Sequence, residues 1–191
     1  MSNQTFKDFL LDDTIYSINT FDKLYSREKF VNGFVLYRKY TRKDVLRILN
    51  WVKNEVGLNV GGYKISQDES NCPIFVNYKK GEDISDTTKY ADQFKNKYEF
   101  EWMTKSGRSL TSREIVLMQN NEYIRLPLFV KKSNDEGEEH YYMGDVTPIK
   151  ESIKETTMEL LEKNKDVRVV KVVFSMNTPV EDSIYDYITE N

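Results

Sequence analysis

The run DVRVVKVVFSM, residues 166–176, places five valines and a phenylalanine in eleven residues. Residues branched at Cβ lose rotamer freedom in a helix and pack well on a pleated surface. This is the strongest strand signal in the chain, and a strand of that kind needs partners, so the remainder must supply a sheet.

Candidate partners are spread along the chain. FVNGFVLYRKY is strand-like, NVGGYKI carries a Gly-Gly turn ahead of a short strand, and CPIFVNYKK opens on Pro73 and continues in β-branched and aromatic residues. TTKYADQF and KYEFEWMT show period-two alternation, and EYIRLPLFVKKSNDEGEEHYYMGDVTPI reads as a hairpin around an acidic loop. Helical patterns interrupt these strands. TFKDFLLDD reads as a short N-terminal helix. YTRKDVLRILNWVKNE has Thr41 as N-cap, Asp44 three residues on, and Val45, Ile48, Leu49 and Val52 on one face. SLTSREIVLMQ repeats the box with Thr111 and Glu114, KESIKETTMELLEKN is amphipathic, and PVEDSIYDYITEN reads as a last helix. A few helices among six to eight short strands is not the alternation of a doubly wound fold. The pattern predicts an α+β chain with a curved or partly closed mixed β-barrel and flanking helices.

At 191 residues the chain is expected to form a single domain over 1–191, with 1–29 as a helical lead-in. No apolar run approaches the roughly 18 residues of a membrane span, and the first residues lack the basic and apolar regions of a secretory signal. With one cysteine, Cys72, and one histidine, His140, no intramolecular disulfide forms and a Cys/His zinc site lacks ligands. These features predict a cytoplasmic protein without a membrane partner. Neither G-x-x-x-x-G-K-[ST] nor G-x-G-x-x-G occurs, so no nucleotide and no other cofactor is expected. The net charge of −3 is unevenly placed: residues 37–113 hold 15 Lys/Arg against 10 Asp/Glu, a local +5, and the rest carries −8. Such asymmetry makes one face attractive to phosphate, although a mixed solvated surface has the same composition.

The stretch ISDTTKYADQFKNKYEFEWMT, residues 84–104, carries aromatics, a carboxylate and lysines but almost no aliphatic residues. As strands over 87–94 and 98–104, it sets Thr88, Tyr90, Asp92 and Phe94 on one face, and Tyr98, Phe100, Trp102 and Thr104 on another. A carboxylate between aromatics is costly in a sealed core. It suits a pocket for a flat ring, with aromatics stacking and Asp92 accepting from an exocyclic amine such as that of cytosine. The predicted base pocket is Phe75, Tyr78, Tyr90, Asp92, Trp102 and Thr104. Phosphate contacts are assigned to Arg38, Arg42 and Lys43 at the first strong helix, and to Lys79, Lys80, Lys89, Lys105, Ser106, Arg108 and Arg113 around the pocket. The loop TKSGRS could present amides to an anion, though such loops are common. The bland alternative is that the aromatics are cross-strand packing pairs and Asp92 caps a turn. His140 is read as an ordinary surface or edge residue, and Cys72 as a buried small hydrophobe. Asp135/Glu136 and Glu138/Glu139 are read as solvated rather than metal-binding.

The blocks IFVNYKK, ISDTTKYADQF, FEWMTKS and LFVKKS…YYMGDV, with LYRKYTRKDVLRILNW before them, resemble one family in order and spacing, from about residue 30 to about 180. It is the C-terminal domain attached to DEAD/DEAH-box helicases, usually behind a phospholipase-D-like nuclease. Proteins of that architecture include SauUSI-type, ATP-dependent type IV restriction enzymes, which act in phage defence by cleaving DNA that contains 5-methylcytosine or 5-hydroxymethylcytosine. The resemblance implies an SRA-like, PUA-related fold, a flipped modified base in double-stranded DNA as ligand, no catalysis by this domain, and helicase and nuclease domains of a parent chain as partners. A 5-methyl group would need apolar contact, which Phe75 or Trp102 could supply. Two rival readings remain. A helicase-docking domain would use the aromatics as interface anchors and bind with little salt dependence. A small nuclease would need carboxylates assembled around Mg²⁺, and no Asp…Glu-x-Lys pattern on adjacent strands supplies them.

Overall fold

The computed structural model describes residues 30–31, 33–51, 61–79, 92–120, 123–160 and 165–190. The expected N-terminal helix, the predicted site residues Lys80, Lys89 and Tyr90, and the end of the first strong helix pattern lie outside them. The chain divides into two compact units, Met1–Leu36 and Tyr37–Asn191. In the first, β1 (Phe30–Val31) pairs antiparallel with β2 (Phe34–Val35), and Gly33, at φ 93°, takes the left-handed turn conformation open to glycine.

The second unit is built on β10 (Lys165–Met176), the valine-rich run. One edge of β10 pairs antiparallel with β6 (Glu99–Met103). The other takes β9 (Lys154–Leu160) along its first half and β8 (His140–Pro148) at its last three residues. β8 also pairs with β3 (Lys39–Tyr40) and with β7 (Pro127–Lys131), the hairpin expected from sequence. Gly144, at φ 108°, sits opposite Leu128 where the β7–β8 register slips by a bulge, which bends the sheet. β4 (Ile74–Asn77) joins β7 in parallel, and β5 (Gln93–Asn96) joins β6. The path β4-β7-β8-β10-β6-β5 is mixed and curls into a half-barrel, the α+β class expected.

Three helices flank the sheet among the described residues. α1 (Arg42–Ile48) starts at the predicted capping box: the Asp44 amide donates to Thr41 Oγ1 at 3.2 Å, and the Thr41 amide to Asp44 Oδ2 at 3.3 Å. α3 (Asp182–Thr189) is the expected last helix. α2 (Arg113–Asn120) departs from expectation, because Glu114 does not close a box with Thr111. Its carboxylate turns inward, accepts from the Tyr63 hydroxyl at 2.6 Å and forms an ion pair with Arg108 Nε at 3.1 Å. No helix among the described residues is long and apolar enough to cross a membrane.

The segment 154–160, expected to be helical, is a strand. Seven cross-strand pairs with β10 override its helix propensity, and Thr156 and Met158 alternate with more exposed Glu155 and Thr157. The core joins Val170, Val172, Phe174 and Met176 of β10 to Phe100 and Trp102 of β6, Ile74 and Val76 of β4, and Ile115 and Met118 of α2. Cys72 is fully buried in it, and burial pushes its thiol up to about 12.

Candidate functional site

A cavity of about 150 Å³ opens where the two ends of the sheet path approach each other. Phe75, Val76 and Asn77 come from β4, Asp92 from the entry to β5, and Trp102 and Met103 from the end of β6. Lys105 follows β6, Gly62 and Tyr63 lie beside β4, and Arg42 begins α1. The volume is below the roughly 300–1,000 Å³ of pockets for drug-sized ligands, so the space suits one small ring rather than a dinucleotide.

The walls are held from behind. In β4, alternation sends Ile74 and Val76 into the core, leaving Phe75 and Asn77 on the opposite face. The Phe75 ring stacks on Phe129 at 5.2 Å and meets His140 edge-on at 5.5 Å, with the Arg42 guanidinium 5.3 Å from its centroid. Trp102 packs against Tyr63 at 5.0 Å and Phe174 at 5.5 Å. Gly62 and Tyr63 run along the free edge of β4, where the Phe75 amide donates to the Gly62 carbonyl at 2.6 Å. The Tyr63 hydroxyl is anchored on Glu114, and burial, then that carboxylate, push its pKa well above the ordinary phenol range.

The polar groups are equally fixed. Asp92 Oδ1 accepts from the Met103 amide at 2.9 Å, which aims the carboxylate. Lys105 Nζ donates to the Tyr63 carbonyl at 3.0 Å and lies 4.6 Å from the Tyr63 ring centroid; burial, then Arg108, lower its pKa. Asn77 donates to Asn134 at 2.8 Å and lies 3.2 Å from His140 Nε2. Burial lowers the Arg42 pKa, and Glu138 partly opposes it. Chemically, the site offers aromatic surfaces, a carboxylate acceptor, an amide and two cations around one small space.

Of the predicted pocket residues, Phe75, Asp92 and Trp102 line this cavity, and of the predicted phosphate contacts, Arg42 and Lys105 do. Tyr78 does not: it packs against Phe94, 5.9 Å between centroids. Thr104 does not either. It is fully buried, and its hydroxyl accepts from the Val170 amide at 2.9 Å, stitching the end of β6 to β10. The alternation of 98–104 holds from Phe100 through Trp102 to Thr104, all three buried, and fails at Tyr98, which lies in the turn and is exposed. Strand β5 begins at Gln93, so Asp92 reaches the cavity from the approach to the strand rather than from its face.

Around the cavity, Lys43, Ser106, Arg108 and Arg113 are exposed, and Arg38 and Lys79 partly so. Arg108 is tied to Glu114 and Arg113 to Glu69, the latter at 2.6 Å, so this rim carries less net charge than its residue types suggest. Arg38 lies 5.9 Å from the Tyr40 ring. Sequence reasoning missed Tyr63 and Asn77. Tyr63 follows the Gly-Gly turn, and Asn77 sits inside the IFVNYKK block, but nothing local marks either as a wall of the same space.

Two further expectations are corrected. His140 is not a surface residue; it is fully buried, with ring nitrogens 3.1 Å from the Glu138 carbonyl and 3.2 Å from Asn77. Burial, then Arg42 and Lys131, lower its pKa to about 3. Glu136 is not merely solvated: it accepts from the Lys132 amide at 2.9 Å and from the Tyr187 hydroxyl, and pairs with Lys39 at 3.7 Å. No group of three or more His, Cys, Asp or Glu placed to hold a metal occurs among the described residues.

Comparison with known proteins adds three findings. The family model described as Domain of unknown function (DUF3427) matches residues 34–188. No curated protein matches the chain. Among solved structures, one similar chain is that of the MspJI restriction endonuclease in complex with a 27-mer oligonucleotide. It has 12% identity and a TM-score of 0.44, and the match covers 78% of this chain and 39% of that one.

Proposed function

We propose that the chain, which belongs to the DUF3427 family, is a recognition module for double-stranded DNA containing 5-methylcytosine or 5-hydroxymethylcytosine. It holds the modified base flipped out of the duplex and catalyses no reaction of its own. The observation that carries this reading is the convergence of Phe75, Trp102, Asp92 and Asn77 with Arg42 and Lys105 on one cavity of about 150 Å³. A flipped cytosine needs a ring-sized space, aromatic contact and an acceptor for its exocyclic amine. Unstacking costs a few kcal/mol, which stacking at roughly 1–3 kcal/mol per base offsets. The resemblance of the sequence blocks to helicase-attached domains supports reading the module as part of a longer, ATP-dependent type IV restriction enzyme, whose helicase and nuclease domains act on the DNA it marks.

The test is a binding titration of the chain with duplexes that differ only in one cytosine, unmodified or 5-methylated, at two salt concentrations. The modified duplex binds more tightly, and both affinities fall with salt. Asp92→Asn keeps an oxygen for the Met103 amide but puts an NH₂ toward the base amine. It weakens binding of the modified duplex about tenfold or more, the loss of one base-edge contact being roughly 1–3 kcal/mol. Equal binding of both duplexes by the unmutated protein refutes base reading, and binding to neither leaves docking on a helicase as the function.

A further inference from the structure

His140 is the chain's single histidine, it is fully buried, and both of its ring nitrogens face oxygen atoms. Nδ1 lies 3.1 Å from the Glu138 carbonyl, and Nε2 lies 3.2 Å from Asn77 Oδ1. A neutral imidazole carries one N–H and one lone pair, so it satisfies one of these oxygens and turns a lone pair on the other. A second proton would satisfy both, but burial, then Arg42 and Lys131, oppose the imidazolium. The network therefore has to change at one of the two partners.

The Glu138 carbonyl belongs to the backbone two residues before His140 and cannot reverse on its own. A carboxamide can. Half a turn exchanges its oxygen and nitrogen within the same outline, and the surrounding hydrogen bonds decide which end is which. With the His140 proton on Nδ1 and donated to Glu138, Nε2 is an acceptor, and the Asn77 NH₂ belongs opposite it. The half-turn carries the Asn77 oxygen to the other contact of this side chain, 2.8 Å from the Asn134 carboxamide. Asn134 is exposed in the turn between β7 and β8 and rotates in step, so that its own NH₂ donates to Asn77. Each contact among the three side chains then pairs a donor with an acceptor.

The consequence reaches the cavity, which Asn77 lines. The nitrogen end of its carboxamide is spent on a fully buried ring. The oxygen end sits in the exposed contact, and an amide oxygen has a second lone pair beyond the one that Asn134 uses. The exocyclic amine of cytosine has two N–H groups, and Asp92 lines the same cavity as one acceptor. Resting on the flipped-base reading, we infer that His140 is a positioning residue that holds the Asn77 carboxamide with its oxygen outward, as a second acceptor for that amine. Two acceptors select an amine over the carbonyl that thymine carries at the same ring position. They thereby separate 5-methylcytosine from thymine, which bears the same methyl group.

Two measurements test it. Nitrogen NMR of the unmutated protein at pH 7 reads the tautomer of its one histidine directly: the proton sits on Nδ1, and a proton on Nε2 overturns the inference. Binding is then measured for the unmutated protein, Asn77→Ala, His140→Phe and the double variant. Three duplexes carry cytosine, 5-methylcytosine or thymine opposite guanine at one position. Thymine pairs less well with guanine, but that difference is common to all four proteins and cancels when they are compared. Asn77→Ala lowers the preference for 5-methylcytosine over thymine about tenfold, the loss of one base-edge contact. It leaves the preference for 5-methylcytosine over cytosine unchanged, because both carry the amine. His140→Phe lowers the first preference too, and adds nothing in the Asn77→Ala background, since it acts through that side chain. Additive effects overturn the positioning role. A preference over thymine that is unchanged in Asn77→Ala overturns the inference, and so does one that rises, the mark of the nitrogen end facing the base. If His140→Phe does not fold, the tautomer and Asn77→Ala still decide. If the unmutated protein binds the cytosine and 5-methylcytosine duplexes alike, the base-reading function itself fails and takes this inference with it, a result visible before any variant is compared.

Discussion

Lowering the pH from 7 to 5 destabilises this protein through one residue. His140 is its single histidine and is fully buried, with a pKa lowered to about 3 by burial, Arg42 and Lys131. An unfolded histidine titrates near 6.5, so between pH 6.5 and about 3 the unfolded chain holds a proton that the folded chain refuses. Stability therefore falls as pH drops through 6.5, and the loss is complete below about 3. For these two pKa values the change between pH 7 and 5 is about 2 kcal/mol, at 1.36 kcal/mol per pH unit once the unfolded group is protonated. Histidine is the side chain whose ordinary pKa lies in this window, so the effect is not masked by carboxylates, which titrate lower.

The assay is urea unfolding at pH 7, 6 and 5 for the unmutated protein and for His140→Phe. Phenylalanine retains an aromatic ring beside Phe75 but cannot titrate. Its absolute stability is lower, because Asn77 and the Glu138 carbonyl each lose a neighbour, and that offset is present at every pH. The informative quantity is the pH slope: the unmutated protein loses about 2 kcal/mol more than the variant between pH 7 and 5. Equal slopes would refute the argument, as would an NMR titration of the His140 ring with a midpoint near 6.5 in the folded protein.

Three other substitutions test the framework of the site. Thr104→Val preserves shape but leaves the buried Val170 amide without its hydroxyl acceptor, and costs roughly 1–3 kcal/mol in denaturant unfolding; a change below about 0.5 kcal/mol would mean the β6–β10 stitch is dispensable. Glu114→Gln removes the charge that Tyr63 and Arg108 share, and is expected to destabilise by about 1–2 kcal/mol and to weaken DNA binding through the displaced Tyr63 wall, both measurable on one purified variant. Lys105→Met weakens binding to modified and unmodified duplexes alike and reduces the salt slope by about one.

The parts of this fold legible in the sequence are those whose cause is local. The valines of 166–176 demand a pleated, buried surface, and Thr41 with Asp44 closes a helix start by geometry within one turn. The segment 154–160 was not legible, because the residues that make it a strand lie in β10, beyond a connection its own composition does not describe. His140 misled for the same reason. Its acidic neighbours in sequence suggest a surface, while Phe75 and Asn77, more than sixty residues earlier, enclose it.

The site follows the same division. Asp92, Phe75 and Trp102 stand out because a carboxylate among aromatics is chemically out of place in a core, and that oddness is visible in a string of letters. Thr104 shares the buried face of Phe100 and Trp102, but its hydroxyl is taken up by the Val170 amide rather than turned to the cavity, and that tie runs to a residue 66 positions away. Tyr63 and Asn77 are walls because the sheet curls. β4 and β5 sit at opposite ends of the strand path, and only that curl sets β4 and its flanking Gly62–Tyr63 segment across from Asp92 and the end of β6. Phe75, Asn77 and Asp92 lie toward the two ends of that path. Each sits on or beside a strand with one edge free of sheet partners on the path, away from the continuous pairing that β8 and β10 must maintain. In this chain the strands that hold the fold and the strands that shape the cavity are largely different ones, with β6 serving both.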